Sequence, residues 1–190
     1  MTIAVCPPCG RRHRPVVAVL LHGTVIMHKN AAGLSREKIV RQVVEQEESV
    51  RDFWSYIPIG NAPQKLQQWI SQGAKVHYVS ALTENKKARG DEFVGREGLK
   101  ADEIVLERYG FPKSTIYHRE PGENHQDVIE RMLPRPDILI EDDCESIGGE
   151  TEMAYPKVRP ELKEKITSIV VKEFGGIDHL PDDIETLRNA

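Results

Sequence analysis

Cysteine is scarce in this chain of 190 residues, and its three copies, an odd number, make no disulfide framework. Long apolar runs are missing too: nothing approaches the roughly 18 apolar residues of a membrane span, and the start lacks a basic region followed by an apolar one. The expectation is a cytoplasmic protein without a membrane partner. Nor is there an excess of positive charge. The formal net charge is -4, and the one basic cluster, Arg11, Arg12, His13 and Arg14, is short, so electrostatics give no reason to expect DNA or RNA. That cluster reads as a solvated leader before the first strand. Internal repeats and low-complexity segments are absent as well. What remains, 39% hydrophobic and 29% charged residues, fits a globular chain with one sizeable core and one small insertion, and is short for two full domains.

Residues 1–14 read as an N-terminal appendage. Cys6-Pro7-Pro8-Cys9-Gly10 has the spacing of a metal knuckle, because two thiolates separated by two residues can turn back onto one zinc ion. His13 could add a third ligand, and Cys144 or His28 a fourth. A complete site normally shows a second Cys-x-x-Cys or His pair, which this chain lacks. Structural zinc, a redox dithiol and unliganded cysteines therefore all stay open. The redox reading has the least support, since the pair precedes a strand and opens no helix whose dipole would lower a thiol pKa.

From Val16 to Leu21 the residues are apolar without alternation, which predicts a strand buried on both faces, followed at once by a Gly23-Thr24 turn. Residues 28–33 read as loop. Ser35 is a candidate N-cap with Glu37 in the first turn, and Ile39, Val43, Val50 and Trp54, supported by Val40, Val44 and Phe53, predict one long amphipathic helix. A helix starting at Ala62-Pro63 and stopped by Gly73 leads to a strand over residues 75–80. Residues 84–100, broken by three glycines, read as loop or short irregular helix. A helix from Ala101 to Tyr109, a strand over 114–118 and a helix over 127–133 follow. Then come a strand ending in Glu141-Asp142-Asp143, a helix over 161–166, a strand over 168–171 and a last short helix with Ile184 and Leu187. About five short strands with helical crossovers predict an α/β, three-layer, open parallel sheet of Rossmann-like, doubly wound form.

Two phrases carry a family resemblance. Leu20-Leu21-His22-Gly23-Thr24 resembles the first motif of the haloacid-dehalogenase-like (HAD-like) superfamily, a strand ending in Asp-x-Asp-Gly-Thr, with Leu20 at the nucleophile position and His22 at the acid/base position. The apolar strand ending in Asp142-Asp143 resembles the fourth motif, whose carboxylates help hold magnesium. Ser80 resembles the second motif's hydroxyl, which holds a phosphoryl oxygen. The third motif's lysine is absent: Asn124, His125 or Gln126 occupies its region, and Lys113 lies before the preceding strand.

The resemblance implies a single HAD-like domain over 15–190 with a small helical cap at about 33–65, closest in look to deoxyribonucleotide 5'-nucleotidases. It places Gly23, Thr24, Ser80 and Trp54 around a ligand pocket, His22 and Ser80 as catalytic residues if the chain is an enzyme, and Asp142 and Asp143 as magnesium ligands, with zinc on Cys6, Cys9 and His13 the lesser expectation. Leucine has no nucleophilic atom, so the aspartyl-phosphate route fails at its first step. The expectation is a catalytically degenerate relative that binds a small phosphorylated ligand or a partner protein. The alternative is a divergent magnesium-dependent phosphohydrolase acting on a nucleotide-like monoester through His22. A homodimer is a base-rate expectation only.

Overall fold

Alternation along the first strand decides the layering. The strands are β1 (Val16–Leu20), β2 (Ile26–His28), β3 (Tyr56–Pro58), β4 (Lys75–Glu84), β5 (Phe93–Val94), β6 (Ile116–Arg119), β7 (Ile138–Asp142) and β8 (Thr167–Val171). The helices are α1 (Arg36–Val44), α2 (Ala62–Ser71), α3 (Arg96–Arg108), α4 (His125–Arg131), α5 (Pro160–Lys163) and α6 (Ile184–Arg188). The computed structural model describes residues 14–45, 47, 52–84, 93–94, 96–145 and 152–190. Every residue of β1 is buried. Val17, Val19 and the following Leu21 enter one apolar cluster while Ala18 and Leu20 enter another, as the period of two requires of a strand covered on both faces.

The first cluster is closed by Leu66 and Trp69 of α2, Val105 and Leu106 of α3, and Ile184 and Leu187 of α6. The second is closed by Val128 and Ile129 of α4 and Leu162 of α5. Helices therefore cover both sheet faces, giving three layers. Each fully buried Leu, Ile or Val side chain contributes about 1.5–3 kcal/mol, so the wholly buried β1 and β7 are the energetic centre of the sheet. The order is β5-β4-β1-β7-β8 with β6 also paired to β4, and every pairing in this sheet is parallel. Register sets Leu20 opposite Val79 and Val19 opposite Ile140. The ends of β1, β4 and β7 consequently share one edge, the one at which open parallel sheets hold ligands. The three-layer HAD-like, Rossmannoid class expected from the sequence is the observed one.

The insertion after β1 carries a helix, α1, as expected of a small cap, and adds an antiparallel strand pair to it. β2 and β3 pair antiparallel, Met27 opposite Ile57, and α1 ends at Val44 instead of running on to Trp54. Asp52 is the reason for the change near the end. Its carboxylate accepts from Trp54 N–H at 3.1 Å and from the Ser55 hydroxyl, winding Phe53–Ser55 into a 3-10 turn that delivers Tyr56 to β3. The helical periodicity had joined two separate elements. α3 starts at Arg96, ahead of the expected Ala101, and carries Gly98 inside it at a cost of about 1 kcal/mol relative to alanine. Burial of Ala101, Val105 and Leu106 offsets that cost. Among the described residues no helix is long and apolar enough to cross a membrane.

Candidate functional site

The turn after β1 is the first component. Val25 and Ile26 N–H groups both donate to Leu21 O at 3.0 Å, and Gly23 N–H donates to Ile26 O at 3.0 Å, folding the chain back directly after His22. Gly23 has φ +83, and a Cβ there would stand 3.0 Å from Asp142 Oδ2. Only glycine meets both demands without strain. The turn buries Thr24 completely and aims its hydroxyl at Asp142 Oδ2, to which it donates at 2.5 Å. Leu20, at the position where the resembled family keeps its nucleophile, is 8% exposed and packs in the second apolar cluster.

The end of β7 is the second component, and its three carboxylates have three different surroundings. Glu141 is fully buried and accepts from the N–H groups of Ala154 at 2.6 Å and Tyr155 at 3.1 Å. Asp142 accepts from Thr24 and, at 3.2 Å, from Cys144 N–H. Burial lifts its carboxyl to about 6 against the hydrogen bond from Thr24, with the nearby Glu173 charge adding to the rise. Asp143 turns away to Lys172 Nζ at 2.6 Å and Glu173 N–H at 2.8 Å. Partial burial would raise Asp143, but the Lys172 contact and the Glu173 N–H hydrogen bond together outweigh it and hold the carboxyl below its ordinary value.

Asp142, Cys144 and Glu173 bring one ligand atom each within 4.8 Å of one another, a group able to hold a divalent ion. Burial, then the charges of Glu173 and Asp142, push the Cys144 thiol far up from its usual value, which a bound cation would reverse. Glu173 is also held at 2.6 Å by Arg36 Nε, at the start of α1, so the cap insertion braces this group. The donor set mixes two carboxylates with a sulfur. Carboxylate oxygen suits magnesium, whereas the thiolate suits zinc and its neighbours. A divalent ion bound there would supply positive charge for a phosphoryl oxygen.

The third component was not visible as a site in the sequence. Asp102, on α3, is 2% exposed and lies beside Ser80 of β4, His22 just after β1 and His118 of β6. Its Oδ2 accepts from Ser80 Oγ at 2.6 Å, and that hydroxyl in turn accepts from Leu82 N–H at 3.0 Å. His22 Nε2 stands 3.2 Å from Oδ1, and His118 Nε2 stands 3.5 Å from Oδ2. Neither ring nitrogen is aligned as a hydrogen-bond donor to the carboxylate. Burial alone would raise Asp102, but attraction to His22, contact with His118 and the Ser80 hydroxyl outweigh it and hold the carboxyl well below its usual range. Ala81 N–H approaches His22 Nδ1 at 3.4 Å, which makes Nδ1 the acceptor and leaves the proton on Nε2, facing Asp102. Tyr56 of β3 packs edge-on against His22, ring centres 5.1 Å apart.

Ser80 is thus fully buried and committed to Asp102. Trp54 is 41% exposed on its 3-10 turn, and its carbonyl accepts from Arg108 of α3 at 2.8 Å. Cys6, Cys9 and His13 lie outside the described residues. Cys144, weighed as a partner for them, stands beside Asp142 and Glu173, while His28 sits in β2 with Nδ1 accepting from Asn30 N–H at 3.1 Å. Around the missing third-motif lysine, Asn124 N–H donates to Asp127 at the start of α4, and Lys113 precedes β6 at the opposite edge of the sheet. Near the strand ends the guanidinium of Arg119 donates to Ala81 O at 2.6 and 3.0 Å. One signal could have exposed Asp102. It shares the helix face of Val105 and Leu106, three and four residues on, and a carboxylate on an apolar face calls for a partner.

Compared with protein-family models and with curated proteins, the chain matches none. The parallel core sheet and the small insertion after its first strand are consistent with a general HAD-like, Rossmannoid fold.

Proposed function

We propose that this chain is a catalytically degenerate HAD-like protein, nearest in kind to the deoxyribonucleotide 5'-nucleotidase branch, that binds a small phosphorylated ligand without hydrolysing it. The observation that carries this reading is the contrast at one sheet edge. The nucleophile position holds a leucine packed into the core, while Asp142, Cys144 and Glu173 keep a group able to seat a divalent ion. A divalent ion held by Asp142, Cys144 and Glu173 would supply positive charge for a phosphoryl oxygen, and the absence of an attacking atom would leave the ester intact. Magnesium and zinc are both candidates for that ion. The test is equilibrium binding of a deoxyribonucleoside monophosphate with and without each cation. Cation-dependent binding that Asp142→Asn weakens tenfold or more is expected; cation-independent binding, or equal affinity in the variant, contradicts the reading.

A second reading has its own support. His22 lies against the buried Asp102 carboxylate with its tautomer set by Ala81 N–H, the arrangement that orients an imidazole for acid/base work. On this reading the chain is a divergent magnesium-dependent phosphohydrolase, and its activity disappears in His22→Ala but survives removal of the exposed, distant His179.

A further inference from the structure

A second opening lies at the far end of the sheet. β6 pairs with β4 only from Tyr78, opposite Ile116, and Tyr78 N–H donates to Thr115 O at 3.0 Å. Ahead of that point β4 has β1 on one side and, among the described residues, no strand on the other. A cavity of about 500 Å³ opens there between residues 74–77 and 113–115. That size is within the roughly 300–1,000 Å³ of small-ligand sites.

Its chemistry has one sign. Lys75 and Lys113 both line the opening, both are exposed, and neither is paired with a carboxylate among the described residues. Backbone direction adds a neutral donor. Lys75 N–H bonds to Pro15 O on the β1 side and Tyr78 N–H bonds across to Thr115 O, so alternation turns Val76 N–H toward the cavity. Val76 O, pointing the same way, accepts from the Ser114 hydroxyl. Ile70 and Ala74 form an apolar floor.

We propose that this basal cavity is a second ligand site, separate from the strand-end cluster, for a small molecule carrying a phosphate-class oxyanion on an apolar body. Lys75 and Lys113 neutralise the oxyanion, Val76 N–H donates to it, and the apolar body lies over Ile70 and Ala74. The site needs no metal ion. The assignment rests on none of the residues used for the cation group, so the two ideas fail separately.

The experiment titrates the full chain with phenylphosphonate and with inorganic phosphate, read by amide NMR shifts and by calorimetry. Shifts are expected at Val76, Ser114 and Thr115, with phenylphosphonate binding more tightly than phosphate. The double substitution Lys75→Gln, Lys113→Gln, at two exposed positions that leave the core intact, is expected to weaken binding at least tenfold, while Asp142→Asn leaves it unchanged. Unaltered affinity in the lysine variant, shifts confined to Gly23 and Thr24, or no binding of either probe overturns the proposal.

Discussion

A side chain at position 23 would meet two obstacles at once, a backbone with φ +83 and a carboxylate oxygen 3.0 Å from the new Cβ. Gly23→Val is therefore expected to lower the unfolding free energy by about 1–3 kcal/mol, read from urea denaturation, and an unchanged midpoint contradicts the turn assignment. Asp102 is a more severe case, because Ser80, His22 and His118 all depend on one buried carboxylate. Asp102→Ala leaves them without it and is expected to cost about 3–5 kcal/mol. Asp102→Asn keeps the shape and a partner for Ser80, and should retain more stability while altering the ring-nitrogen NMR shifts of His22. Identical His22 shifts in the asparagine variant would show that the carboxylate does not orient the ring. At this scale the sequence was readable where a motif is local. Gly23, Thr24 and Asp142 follow from short phrases, whereas Asp102 and His118 become partners only when β6 pairs with β4 and α3 packs against the sheet, a relation no local spacing encodes.

Elements were legible in proportion to how strongly burial repeats within them. β1 and β7, buried at every position, stand out as apolar runs, and α2 announces itself by its proline start and the glycine that follows its end. The cap insertion does not, because β2 and β3 are three residues each and their pairing is long-range. The same hairpin carries a pH effect. Burial lowers the His28 pKa, partly opposed by Asp52, and its Nδ1 serves as acceptor for Asn30 N–H. Between the lowered folded value and the ordinary one, about 6.5, the unfolded chain binds more protons than the folded one. Stability contributed by His28 is thus complete above that window and lost as pH falls through it. Thermal melts from pH 8 to pH 5 should show a smaller decline in Tm for His28→Gln than for wild type; parallel declines contradict the assignment.

For the molecule as a whole, parallel pairing gathers residues from β1, β4, β6, β7 and the segment after β8 at one edge, and the cap insertion reaches that edge through Arg36 and Tyr56. A cation that binds the folded chain alone must stabilise it, by about 2.7 kcal/mol at a hundredfold excess over Kd. Magnesium or zinc at that excess is expected to raise the Tm of wild type and to leave Asp142→Asn unmoved, whereas equal shifts in both would place the ion elsewhere. The fold class was legible because strand and helix alternate along the whole chain. The ion group was legible only in Asp142, since Glu173 joins it from the loop after β8. The most direct test of the central claim is phosphate release from a broad panel of phosphomonoesters, nucleotides included, with and without magnesium, for wild type and Asp142→Asn side by side. Binding without turnover predicts no release by wild type above the variant; metal-dependent release that the variant loses would contradict it and make His22 and Asp102 the working acid/base pair.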